Sequence, residues 1–497
     1  MTRADRRTRH PLQARARIAA PLFTFGLAFG AVLALVPRAT SALPPSTPAA
    51  KSSAASASAS GRAAPAASAL PPSAMLLAST MSQIATRLAT DVGSATNRSV
   101  VCTAPLRSDE PAPRGNELAT KMASLIAGKL ASSVAKPEPI ALAAAQAVAR
   151  RASFLVYLQS EIAAGQLRVT ADIYRASDNV WERAREPIPA PTAHAHAAGR
   201  IDGEVRSYLA PVPLVGSRID RATVEEKELV AVGCGDVDGD GTLEIVTLSR
   251  RRVTIGRARG GRFVTLRTAA LRDFSGIAPT PLREPLGGVA IVAARRGGPL
   301  LDIGLSDRAR GARLDGDLHL LGAIQGVPFA TPYGDACMRF QGSTMATTVG
   351  KCAETDAAPP SLVSDAPLDA AASGVFVSPR GVVRTVDAAR DPRTGDVALR
   401  AADRMATLSR AGAQIAVGDL DQDGAPEVIT TLDVLTQPSG NADDALVITT
   451  WEGDGSLREK ARTNVPTGVR ALAACPPEGS GPGAVVLATG GELWIVR

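Results

Sequence analysis

A nine-residue acidic loop occurs twice in this chain, each time between two short apolar segments, and it restricts the fold more than any other feature. Leu229-Val230-Ala231-Val232-Gly233 runs into Asp236, Asp238, Asp240, Gly241 and Glu244, and then Ile245-Val246. Ile415-Ala416-Val417-Gly418 runs into Asp419, Asp421, Asp423, Gly424 and Glu427, and then Val428-Ile429. Four carboxylates in so short a turn repel one another, so a compact loop needs a cation among them. Calcium meets that need with six to eight hard oxygen ligands at about 2.3–2.6 Å. Side chains at positions 1, 3 and 5 converge when glycine at position 6 lets the backbone turn sharply. Position 7, Thr242 or Ala425, would contribute a main-chain carbonyl. An EF-hand does not fit, because position 12 holds Thr247 and Thr430 and the flanks read as strands.

Beyond each loop the chain reads as the rest of a four-stranded unit. After the first come Leu243 to Leu248, Arg252 to Arg257, a Gly260-Gly261 turn and Arg262 to Thr268. After the second come Pro426 to Leu432, Ala445 to Trp451, the Glu452-Gly453-Asp454-Gly455 turn and Ser456 to Arg462. Repeated units of this kind predict a β-propeller. The pattern resembles the FG-GAP and VCBS repeats of integrin-like propellers, in which such a loop joins two strands of a blade and holds calcium. That resemblance implies two Ca2+ sites. The ligands it implies are Asp236, Asp238, Asp240, Thr242 and Glu244 in one, and Asp419, Asp421, Asp423, Ala425 and Glu427 in the other. Glu stands at position 9 where Asp is commoner in those repeats.

A third unit starts at Val469 to Cys475, but its loop, Pro476 to Gly483, lacks the acids and is expected to bind no calcium. It continues through Ala484 to Ala488 and Glu492 to Val496, three strands in all, so closure needs an upstream strand, for which Glu204 to Leu209 is the candidate. The chain between the two acidic loops leaves room for three or four more units, with Gly288 to Ala293 and Gly374 to Val377 as strands and Asp315-Gly316-Asp317 as a turn. The expected fold is therefore multidomain: an α+β amino-terminal domain followed by an all-β propeller of about five to seven four-stranded blades, spanning 205–497.

Residues 1–42 read as a signal peptide. Arg3, Arg6, Arg7, Arg9, Arg15 and Arg17 precede the uncharged apolar run Ile18 to Val36, and Thr40-Ser41-Ala42 offers small residues for cleavage. If uncleaved, the same run is long enough to anchor the chain in a membrane. Residues 43–72, almost wholly Ala, Ser and Pro, form a linker. Of the formal charge of +7, +6 resides in this leader, whose seven arginines face one aspartate. The remainder is nearly neutral, which excludes a nucleic-acid partner recognised by a basic face.

Residues 73–185 read as an α+β domain. Leu77, Met81, Ile84 and Leu88 stripe a first helix, Leu118, Met122, Leu125 and Leu130 a second, and Ile140 to Arg151 is a third. Ser99 to Thr103, Phe154 to Gln159 and Leu167 to Tyr174 read as strands, with Val180-Trp181 in a further one. Around the Val100-Val101-Cys102-Thr103-Ala104-Pro105-Leu106 segment, this order is similar to amino-terminal domains of bacterial envelope assembly proteins of the TolB and curli-secretion kind, which implies a role at the envelope. Residues 186–204 read as a second linker carrying His194 and His196.

Five cysteines leave at least one unpaired in an oxidising compartment; Cys337 and Cys352 close the shortest loop, and Cys102 sits among apolar residues. His319 is the only histidine of the propeller and is expected on a strand. No GxSxG motif or phosphate-binding glycine loop occurs. These features favour a non-catalytic, exported calcium-binding module, periplasmic or extracellular, whose partner is an envelope or surface protein or a glycan. Membrane contact is expected only if the leader stays uncleaved. The alternative is a secreted hydrolase or lyase on polysaccharide or phospho-substrates with structural calcium, which would place unpaired carboxylates in the propeller channel.

Overall fold

The structure, a computed structural model, describes residues 78–497 apart from 94–97, 135–137, 178, 186–189, 215–217, 241, 275–284, 293–297, 309, 332–333, 341–344, 354–355, 357–366, 403, 434–443 and 480. The leader, the 43–72 linker, Leu77 and Gly241 lie outside the described residues. No described helix is long and apolar enough to cross a membrane.

The amino-terminal sheet runs in the order Ser133–Val134, Ser99–Thr103, Phe154–Ala163, Gln166–Arg175, Ala193–Arg200. Ser99–Thr103 and Phe154–Ala163 pair in parallel, and the later strands are antiparallel. The hairpin at Ala164-Gly165 has positive φ at both positions, 52° and 72°, the turn whose twist matches that of its strands. Two helices, Thr80–Val92 and Gly115–Lys129, cover one face of the sheet through the expected stripes: Met81, Ile84 and Leu88, with Leu118, Met122 and Ile126, are at most 2% exposed. Each such side chain contributes about 1.5–3 kcal/mol of apolar burial. Ser79 caps the first helix through the Ser82 amide, and Gly93 ends it at φ 59°.

Two expectations fail here. Val180-Trp181 opens a short helix, Val180–Arg185, rather than a strand. The stretch read as a linker contains the edge strand Ala193–Arg200, in which Ala195 and Ala197 are buried while His194 and His196 face outward. Its alternating small and polar residues satisfy a half-buried edge although they lack the bulk that marks a strand by eye.

The remaining strands form six antiparallel units among the described residues. The first is Leu229–Gly235, Glu244–Ser249, Arg252–Arg259 and Arg262–Ala270. The second is Gly287–Val292, Leu300–Leu305, Gly311–Leu314 and Leu320–Ile324, and the third has three strands, Val327–Thr331, Gly334–Phe340 and Ala346–Lys351. Ala370–Val377, Val383–Asp391, Asp396–Ala401 and Arg404–Leu408 make the fourth; Ala411–Gly418, Glu427–Leu432, Asp444–Trp451 and Leu457–Val465 the fifth. The first strands of consecutive units lie side by side, and that of the last returns to that of the first, which is a propeller arrangement.

The last unit, Ala471–Cys475, Ala484–Ala488 and Glu492–Val496, is completed from upstream, as expected, but by Ile219–Thr223, which runs antiparallel to Glu492–Val496. The proposed closing segment instead forms the short helix Gly203–Arg206, capped by Asp202, whose Oδ1 accepts from the Val205 amide at 3.0 Å. A disulfide, Cys234–Cys475, joins the first strands of the first and last units across the closure. Cys337–Cys352 is the second disulfide, and Cys102 is a buried thiol. His319 lies in the turn before Leu320–Ile324, with Nδ1 3.1 Å from Asp315 Oδ2, not on a strand.

Candidate metal centre

Both acidic loops leave the first strand of a unit and return through its second, so the rigid pair of strands fixes where the carboxylates meet. Asp236, Asp238 and Glu244 each place a carboxylate oxygen within 4.8 Å of the others, and Asp419, Asp421 and Glu427 do the same. The position-9 glutamates, both fully buried, are anchored alike. Glu244 Oε2 accepts from the Val237 amide at 2.9 Å, and Glu427 Oε2 from the Leu420 amide at 2.8 Å. The longer arm of Glu thus ties the loop backbone with one oxygen and presents the other inward.

Asp240 and Asp423 fall outside these convergent sets. Their Oδ1 atoms accept from the amides of Thr242 and Ala425, both at 2.7 Å, and so close the turn. Thr242 and Ala425 are therefore turn residues whose amides serve the fifth position.

The two loops diverge at the residue that faces the glutamate from the third strand. Thr450 pairs with Glu427, and its hydroxyl donates to Glu427 Oε1 at 3.0 Å. In the first unit that place, one step beyond the Gly256–Ile245 pair, belongs to Arg257. Its Nε donates to Glu244 Oε1 at 2.8 Å, its Nη2 bonds the same oxygen, and Nη2 reaches Asp240 Oδ2 at 3.0 Å. Arg267 Nη1 stands 3.6 Å from Asp238 Oδ2. The first loop carries its own cations.

No basic side chain enters the second loop in this way among the described residues. Asp419 Oδ2 accepts from the Gly424 amide at 3.2 Å, but Oδ1 is sealed from solvent without a hydrogen-bond partner. Burial, reinforced by the charges of Asp423 and Asp421, pushes the Asp419 carboxyl up to about 8. Burial and then Asp421 push Glu427 up to about 9, and Asp421 is raised by burial and Asp423. In the first loop, by contrast, the Thr242 amide and then Arg257 hold Asp240 down to about 2. A hard divalent cation fits the second loop, where an orphaned oxygen and mutually repelling carboxylates converge. It does not fit the first without displacing Arg257.

A third acidic group, Asp302 and Asp335 beside Cys352, is no metal centre: Cys352 is disulfide-bonded, and the Arg313 guanidinium bridges Asp302, Asp335 and Asp356 at 2.8 Å each. Sequence reading missed Arg257 and Thr450 as partners of the loops. The acids could be aligned residue for residue, but the chain from glutamate to third strand is longer in the fifth unit, so their equivalence is visible only once the strands are paired.

No family model matches the chain, and no curated protein matches it. Among solved structures the chain is similar to a member of the DUF4221 family from Bacteroides vulgatus, at 7% identity over 57% of this chain and 97% of that one, with a TM-score of 0.34. It is also similar to Kuenenia stuttgartiensis hydrazine synthase, at 14% identity over 54% of this chain and 75% of that one, TM-score 0.33. A third is the Myceliophteria thermophila Cps50 (Swd1) β-propeller domain, at 12% identity over 55% of this chain and 98% of that one, TM-score 0.31. Likeness this distant carries no functional argument, and the propeller description rests on the ring of strands itself.

Proposed function

We propose that the chain is an exported, calcium-binding six-bladed propeller that acts as a non-catalytic binding or assembly module of the cell envelope or surface, with an envelope protein or a glycan as partner. The observation that carries this reading is the contrast between the two loops. Arg257 forks onto Glu244 and Asp240 in the first cage, whereas among the described residues no basic side chain bonds the acids of the second, where Thr450 meets Glu427 instead. Asp419, Asp421 and Glu427 would hold the ion, which supplies the positive charge that lets those carboxylates sit together ionised. Two disulfides suit an oxidising compartment outside the cytosol.

The propeller channel supports a binding role over a hydrolytic one. It is a cavity of about 210 Å³ walled by the first strands, and Asp369 is the acid among the described residues that line it. Asp369 is itself paired with Arg390, Nη1 to Oδ2 at 2.6 Å. Glycoside hydrolysis uses two carboxyl groups about 5–9.5 Å apart, and this lining supplies no such pair.

Capture from an envelope extract by the immobilised protein, in millimolar calcium and in chelator, tests the proposal. A defined envelope component retained only in calcium is the expected result. Turnover of polysaccharide or phosphoester by the purified protein, with no such component, would favour the secreted hydrolase instead.

A further inference from the structure

The second loop does more than close a blade: the amino-terminal domain rests on it. Gly203 opens the short helix Gly203–Arg206, and a Cβ placed on it would lie 2.7 Å from Gly424 Cα and 2.1 Å from the Val377 carbonyl oxygen. Val205, Tyr208 and Leu209 pack into the amino-terminal core rather than the propeller, so the two glycine backbones that touch come one from each domain. Beside them Arg206, 3% exposed, donates to Gln422 Oε1 from Nε at 3.2 Å and from Nη2 at 2.7 Å, while its Nη1 bonds Glu110 Oε2 at 2.6 Å.

Gln422 occupies position 4 of the loop, between Asp421 and Asp423. It is 3% exposed, holds φ at 62°, and donates through Nε2 to the Gly481 carbonyl at 3.1 Å. A glutamine in the left-handed region is uncommon and persists where its surroundings enforce it. Position 4 of the first loop is Gly239, which takes φ 79° at no such cost and bears no side chain for a partner domain to grip.

We infer that the ion held by Asp419, Asp421 and Glu427 fixes the loop conformation on which the amino-terminal domain docks, so that this docking is calcium-dependent. The inference rests on the second loop being a calcium site. Without the ion, the closed turn buries its acids with no counter-charge, a cost that opening relieves, so Gln422 loses the strained geometry that meets Arg206 and Gly424 no longer matches Gly203. The first loop, closed by Arg257, keeps its shape at any calcium level.

Hydrogen–deuterium exchange of the full chain in calcium and in chelator tests this, with calcium binding followed by calorimetry in parallel. Residues 203–209 and 419–424 should exchange about tenfold or more faster in chelator, as expected when a local contact opens. Residues 236–246 should be unaffected. Calcium binding with equal exchange at 203–209 in both conditions overturns the docking inference and leaves the ion site standing, whereas no calcium binding overturns both. Gln422→Asn separates them further, because Asn tolerates the left-handed region but is too short to reach Arg206. That variant should bind calcium yet exchange rapidly at 203–209 throughout. Full protection in calcium would remove Gln422 as the link.

Discussion

Arg257 and Thr450 stand in the same relation to a buried glutamate, and the difference between a guanidinium and a hydroxyl decides what each acidic loop needs. A guanidinium that forks onto Glu244 and Asp240 supplies the charge an ion would supply, whereas the Thr450 hydroxyl satisfies one lone pair of Glu427 and neutralises nothing. The same use of arginine recurs at Arg313, ringed by Asp302, Asp335 and Asp356. There three acids meet one base, and burial, with Asp335 adding and Arg313 opposing, pushes the Asp302 carboxyl up to about 8. Unfolded, that group titrates near ~4. The native state therefore holds the extra proton, and its contribution to stability is present at low pH and declines as pH rises from about 4 through about 8. Thermal melts in saturating calcium should show a transition temperature that falls between pH 6 and 9 and flattens in Asp302→Asn; an equal slope in the variant would assign the dependence elsewhere.

Among the elements, those with a local signature could be read from the chain and those defined by distant partners could not. The stripes at Met81, Ile84 and Leu88 repeat at helical spacing and mark their helix directly. The strands flanking each acidic loop follow from short apolar runs beside an acidic turn, and in the second loop Gly424 takes φ 82° at position 6. Cys337 and Cys352 lie 15 residues apart and could be paired by proximity, while Cys234 and Cys475 are 241 apart and meet only because the ring closes. The sequence shows the need for a closing strand but not its position. Glu204 to Leu209 has the apolar content of a strand, yet Asp202 caps a helical turn there, and the ladder to Glu492–Val496 is built by Ile219–Thr223. The Cys234–Cys475 bond clasps this otherwise noncovalent junction. Replacing both cysteines by alanine should cost about 2–5 kcal/mol of stability, the usual range for a native disulfide. Denaturant melts of the double variant read that loss directly, and an unchanged midpoint would mean that the strand ladder alone closes the ring.

At the scale of the molecule, the acidic loops lie where each unit's first strand gives way to its second, the same face that meets the amino-terminal domain at residues 203–206. Gly165 from the amino-terminal hairpin reaches the loop of the last unit as well, which lacks the four-carboxylate set, and there a Cβ would fall 1.9 Å from the Gly479 oxygen. One acidic loop thus lies beneath the domain and is the proposed ion site, and the other carries its own positive charge. The candidate ligands were legible because acids at alternate positions are a local pattern. Their unequal neutralisation by the chain itself was not, because it depends on a cross-strand neighbour. The most direct test of the account is a calorimetric calcium titration of the full chain. One ion per chain is predicted, lost in Asp421→Ala and raised to two in Arg257→Thr, which reproduces the second loop within the first. No binding by the native chain, or undiminished binding by Asp421→Ala, would contradict it.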